Sequence, residues 1–134
     1  MSEWRLEILK HEGKEVILNP TWDQITSALN KMDGYDTLDN ILLISNESGH
    51  FTITGGNRVK GKRVYHVFSM DSEGADANLV NPSVSKSNKE YLQITVQRVG
   101  FELLKKYLVE YGDMIKAVKH FFETGELTGD QEWE

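Results

Sequence analysis

The stretch Gly56-Asn57-Arg58-Val59-Lys60-Gly61-Lys62 has the spacing of a phosphate-binding loop, in which glycines let backbone amides wrap a phosphate and a lysine reaches its outer oxygens. In such a loop the residue after the lysine supplies a hydroxyl to magnesium; here it is Arg63. A phosphate loop also opens a helix whose N-terminal amides complete the anion cradle. Val64 to Phe68 instead alternates as a strand, so the segment reads as a glycine-rich hairpin turn carrying solvated basic residues.

No other pattern of reactive side chains has a catalytic spacing. His11, His50, His66 and His120 are far apart in sequence, and none stands at metal-ligand spacing from another. His66 falls in a strand, on the face opposite Tyr65 and Val67, and His120 on the polar side of the last helix. No Gly-x-Ser-x-Gly elbow is present. The chain has 21 carboxylates but no cysteine, which excludes thiol nucleophiles, thiolate metal sites and disulfides. No cofactor or metal is expected, and the chain reads as a non-enzyme.

The elements that position these residues can be followed along the chain. Trp4 to Leu9 alternates as a strand, His11-Glu12-Gly13-Lys14 turns, and Val16-Ile17-Leu18 returns. Thr21 and Gln24 form a capping-box pattern ahead of a helix with Trp22, Ile25, Ala28, Leu29 and Met32 on one face, closed at Asp33-Gly34. A β meander follows: Ile41 to Ile44 as a central strand covered on both faces, a turn at Asn46 to Gly49, Phe51 to Thr54, a break at Gly55-Gly56-Asn57, then Val64 to Phe68. Residues 71 to 90 read as a long polar loop and Tyr91 to Val96 as a strand. Between 101 and 111, Phe101, Leu104, Leu108 and Tyr111 fit a helix, while Tyr107-Leu108-Val109 equally fits a short strand. Asp113 caps a final helix bearing Met114, Ile115, Ala117, Val118, Phe121 and Phe122, which ends at Gly125.

The expected fold is therefore α+β, a mainly antiparallel sheet with two helices packed on it. Its 134 residues suit a single domain, with Ile25, Leu29, Ile44, Ile53, Val118 and Phe122 in the core. No apolar run is long enough to span a membrane, and the N-terminus lacks the apolar core of a signal peptide, so the cytoplasm is the expected location. The net charge of −6 disfavours a nucleic-acid partner and suits a basic protein. The charge is uneven. Arg58, Lys60, Lys62 and Arg63 form a basic stretch, whereas Asp71, Glu73 and Asp76 follow without a compensating base, and the tail is again acidic.

Several short segments resemble the first-numbered immunity-protein family of bacterial polymorphic toxin and contact-dependent inhibition systems. They are Asn19-Pro20-Thr21-Trp22-Asp23-Gln24-Ile25 through Leu29 with Asp33-Gly34, the strand and glycine turn from Phe51 to Gly56, and Phe121-Phe122-Glu123-Thr124-Gly125-Glu126 followed by Trp133-Glu134. The loop from 71 to 90 has no counterpart among them. The resemblance implies a small α+β protein that binds and neutralises a cognate, nucleic-acid-acting toxin domain inside the producing cell. It also tips Tyr107-Leu108-Val109 toward strand. The expected partner is that toxin, with no nucleic acid or membrane, and the chain is expected to be a monomer or weak dimer. A non-catalytic adaptor, or a small-ligand-binding domain using the glycine turn at 55 to 61, would share the same features. Asp71, Glu73 and Asp76 are the candidate toxin-binding residues, with Glu132, Trp133 and Glu134 as a second set; tryptophan often dominates interface energetics, although Trp133 also suits a tail anchor.

Overall fold

The computed structural model describes residues 3–10, 13–34, 38–96 and 99–134, residue 96 by its backbone alone. Alternation along Trp4–Lys10 makes β1, which pairs antiparallel with β2 (Gly13–Leu18) so that Leu6 faces Ile17. The His11-Glu12 part of the expected turn lies outside the described residues. Thr21 Oγ1 accepts from the Gln24 amide at 3.1 Å and Gln24 Oε1 accepts from the Thr21 amide at 2.9 Å, the reciprocal pair that starts α1 (Trp22–Asn30). The helix ends at Asn30, before Asp33-Gly34, because the Lys31 and Met32 amides tighten onto Ala28 and Leu29 while those of Asp33 and Gly34 bond the Leu38 carbonyl. Met32 is buried beyond the helix end.

The meander consists of β3 (Asn40–Ser45), β4 (Gly49–Val59) and β5 (Lys62–Met70), all antiparallel. Gly55-Gly56-Asn57 does not break β4; it forms a bulge, and the strand runs on to Val59. Gly56 has φ +94°, and a Cβ there would come 2.7 Å from the Met32 carbonyl oxygen, so the bulge requires glycine against the end of α1. Lys60 and Gly61 both have positive φ, as a two-residue type I′ turn demands, and this turn joins β4 to β5.

The remaining elements are β6 (Asp76–Asn78), β7 (Tyr91–Val96), β8 (Val99–Leu104), β9 (Val109–Glu110) and α2 (Tyr111–Thr124). The main sheet has the order β2-β1-β3-β4-β5-β6, with β9 on the other half of the β5 edge; β7 and β8 pair separately. The fold is thus α+β, with a mainly antiparallel sheet and two helices on it.

Three further readings of the sequence need correction. The 71–90 segment contains β6, and the buried pair Leu79-Val80 ties it down: the Leu79 amide donates to Val67 at 3.0 Å, and that of Asn81 to Lys106 at 2.7 Å. The 101–111 segment is strand β8, a 3-10 turn at Lys105–Tyr107 and strand β9, so Tyr107 is not in a strand. Pairing with β7, Phe101 opposite Ile94, holds 99–104 extended and leaves Phe101 53% exposed. Finally, α2 begins at Tyr111 with Glu110 as its cap residue, which leaves Asp113 inside the first turn. Gly125 closes α2 with φ +77°.

Both helices cover one face of the sheet. Ile25, Leu29, Met114, Val118 and Phe121 meet Leu6, Ile41, Leu43, Phe51, Ile53 and Val67 there. Ile44 and Phe122, both expected in the core, are half-buried. Ile44 lies on the opposite face of its strand, and Phe122 sits at the flank of α2 against Trp4 and Trp22. Phe121 is the deeply buried aromatic of that pair, 2% exposed. Phe121→Ala is therefore expected to cost about 3–5 kcal/mol in urea unfolding, and Phe122→Ala less than half as much. Equal losses, or the reverse order, would mean that the face of α2 is misassigned.

Candidate interaction surface

The sheet face away from the helices carries two cross-strand rows fixed by register. Leu18, Arg5, Ile44, His50, Met70 and Asp76 form one; Val16, Glu7, Leu42, Thr52, Phe68 and Asn78 form the next. Leu18 is 72% exposed and Val16 44%, and Leu42, Ile44, Phe68 and Met70 are half-buried. The run Ile41–Ile44, expected to be covered on both sides, is covered only on the Ile41 and Leu43 side. The second hydrophobic cluster, Val64 with Ile94 and Leu108, seats the β7–β8 hairpin near one end of this open face. Glu7, the buried acid within the rows, is neutralised by Arg5 at 2.8 Å and Lys14 at 3.3 Å. What remains is a strip of apolar pairs on β2, β3 and β5, interrupted by the compensated ion cluster of β1 and the polar His50 and Thr52 of β4. Apolar contacts interspersed with polar ones are the usual anatomy of a protein-binding surface.

The six candidate residues lie at the other side, around β6. Asp71 Oδ1 accepts from the amides of Glu73 and Ala75, both at 2.9 Å, so its carboxylate holds its own turn together. Glu73 and Asp76 are exposed, and among the described residues neither has a cation at ion-pair distance; Asp76 pairs with Met70 at the end of the first row. The tail is docked beside this strand. The Glu134 and Asn78 amides each bond the other residue's backbone oxygen, at 2.9 and 2.7 Å, and Leu79 bridges Trp133. Trp133 packs on Phe51 with ring centroids 5.7 Å apart and donates to Thr128 Oγ1, which is the anchoring role. Glu132 pairs with Lys86 at 2.6 Å and Glu134 with Lys106 at 2.8 Å, so both charges are compensated. The structure thus brings the two acidic sets to one edge, where among the described residues Asp71, Glu73 and Asp76 have no cation partner and Asp71 is tied to its own turn.

The glycine turn lacks the phosphate-loop context, because Lys62 continues into β5 and no helix follows. Among the described residues no three His, Asp or Glu side chains converge as a metal site would require, and no helix is long and apolar enough to cross a membrane. Sequence reasoning missed the open face itself. Its signal was the exposed side of the alternation in β2 and β5, Val16 and Leu18, then Phe68 and Met70. Compared with protein-family models, curated proteins and solved structures, the chain matches none of them.

His66 borders the strip beside Phe68. Its Nε2 lies 2.7 Å from Asn78 Oδ1, an acceptor, so that nitrogen carries the hydrogen. Burial pushes the His66 pKa below its ordinary value, and the Asn78 bond opposes this with smaller effect. A depressed folded value means the unfolded chain binds the proton more readily. The stability from neutral His66 is therefore complete above the unfolded pKa of about 6.5 and is lost as pH falls through the lower folded value. Urea unfolding of His66→Gln is expected to show a flatter decline from neutral to mildly acid pH than the wild type. Parallel curves would assign the acid sensitivity to other groups.

Proposed function

We propose that the chain is a non-catalytic protein-binding domain that neutralises a basic toxin domain inside the cell that makes both. The observation carrying this reading is the sheet face that the helices leave open, with its apolar pairs on β2, β3 and β5, one row ending in Asp76 and Glu73 in the turn beside it. An apolar strip supplies desolvated contact, while uncompensated carboxylates at one edge steer a basic partner and fix its orientation. The net charge of −6 strengthens that steering, and the resemblance to immunity proteins points to a toxin as the partner. A carboxylate edge can occupy the place of substrate phosphates on a nucleic-acid-acting enzyme.

The test is co-expression with the product of the gene adjacent to this chain's own, where this reading expects the toxin. Wild type should restore growth and form a complex, whereas Ile44→Asp should weaken binding at least about tenfold without loss of the folded state. Glu73→Lys with Asp76→Lys should slow association several-fold at low salt, a difference that fades as salt rises, because steering is screened beyond about 10 Å at 0.1 M. Asp71 is left intact in that variant because it holds its turn. Full protection by Ile44→Asp would remove the sheet face from the reading, and failure of the wild type to bind the neighbouring toxin would remove the reading itself.

A further inference from the structure

A cavity of about 570 Å³ opens beside the first turn of α2, walled by Arg58, Lys62, Arg63, Tyr65, Glu110 and Tyr111. That size falls within the range of small-molecule sites. Three cations and one carboxylate leave its lining at +2, in a chain whose net charge is −6. Arg63 Nη1 donates to the Gly56 carbonyl at 2.7 Å and Arg58 Nη1 to the Gly61 carbonyl at 3.3 Å, which holds both guanidinium groups with most of their donors unused. Among the described residues no carboxylate lies at ion-pair distance from either arginine; Lys62 alone is paired, with Glu110 at 2.8 Å.

Two further features face the same space. Glu110 caps α2 without a side-chain hydrogen bond to its first turn, because its carboxylate is turned to Lys62, so the amides beginning at Tyr111 and Gly112 have no side-chain cap. Asp113, the acid in that first turn, does not line the cavity. Tyr65 is 1% exposed, meets Tyr111 edge-on with centroids 6.1 Å apart, and its hydroxyl has no hydrogen-bond partner among the described residues. Arg58 and Arg63 line the cavity together with Tyr65. Tyr65 is buried as a residue but lines the cavity, so its hydroxyl is a free donor at a cationic wall.

We propose that this cavity binds a small phosphomonoester, with the phosphate on Arg58, Arg63, the Tyr65 hydroxyl and the α2 amides, and the organic group against the tyrosine rings. A phosphate dianion matches the +2 lining, and its three terminal oxygens accept from two guanidinium forks, a hydroxyl and helix amides together. A carboxylate has one charge and too few lone pairs for that donor set. The residues come from the stretch whose spacing imitates a phosphate loop, but the device differs. Here a hairpin supplies side-chain cations and a helix some fifty residues later supplies amides, with no hydroxyl placed for magnesium.

The full chain would be titrated with adenosine monophosphate and with phenyl phosphate, followed by amide NMR shifts, with adenosine and inorganic phosphate in parallel. Both esters are expected to shift Gly112 and the 58–63 amides to saturation, with a Kd below about 1 mM. Adenosine should leave the spectrum unchanged, and inorganic phosphate should bind at least about tenfold more weakly. Arg58→Gln with Arg63→Gln should weaken ester binding tenfold or more. Tyr65→Phe, which keeps the ring and the packing, should weaken it several-fold with an unchanged thermal midpoint. Ile44→Asp, on the opposite face of the sheet from Tyr65, should bind the esters normally, so this site and the protein-binding face fail separately. Absence of saturable shifts with both esters, binding undiminished in Tyr65→Phe, or inorganic phosphate binding as tightly as the esters would each overturn the assignment.

Discussion

The structure depends most on where Phe121 is held. Its ring stacks on Phe51 of β4 with centroids 4.1 Å apart and meets Trp4 of β1 edge-on at 5.2 Å. From this wedge the aromatic contacts continue in both directions, to Trp133 of the tail through Phe51, and to Phe122 and Trp22 at the start of α1 through Trp4. One continuous set of rings thus joins two strands, both helices and the C-terminal segment on one side of the sheet. Aromatic pairs add to area burial through their preferred geometries, so this chain of contacts fixes orientation as well as supplying burial. It also leaves the other face open. With Phe51, Ile53, Tyr65 and Val67 turned toward the helices, strict alternation sends Thr52, His66, Phe68 and Met70 outward.

That consequence explains which parts of the fold were legible in the sequence. The capping box at Thr21, the strands around Phe51 and Tyr91, and the Gly125 helix end are local, and each carried its own signal. Errors arose where the decisive partner was distant. Gly55-Gly56 reads as a break, yet Met32 from the end of α1 presses on Gly56 and converts the break into a bulge inside one long strand. Leu79-Val80 is only two apolar residues in a polar tract, but β5 and the returning tail bond to both sides of it. Phe121 and Phe122 are adjacent on one helix, and only the positions of Phe51 and Trp4 decide which is buried.

The candidate sites were legible in part. The acidic excess at 71–76 and at the tail was visible as composition. Its division into compensated and uncompensated carboxylates was not, since Lys86 and Lys106 reach Glu132 and Glu134 only through the folded edge. Asp71 shows the opposite limit, an exposed acid whose role is to accept two amides of its own turn. The apolar strip was hidden for another reason. An apolar residue in a strand reads as core until the covering layer is known, and here that layer lies only on one side.

Net charge is consequently a poor guide to what each surface attracts. Strand β5 carries Arg63 and Tyr65 at the cationic cavity and Phe68 and Met70 at the acid-bordered strip. At roughly 3.3 Å per residue, the seven steps from Arg63 to Met70 span about 23 Å. Screening at physiological salt acts over about 8 Å, so the carboxylates around β6 do little to the potential at the cavity. A chain acidic as a whole can therefore hold a locally positive site, provided the two ends of a long strand keep the charges apart. The type I′ turn at Lys60-Gly61 and the bulge at Gly55-Gly56 are what extend β4 and β5 far enough past the core to create that distance.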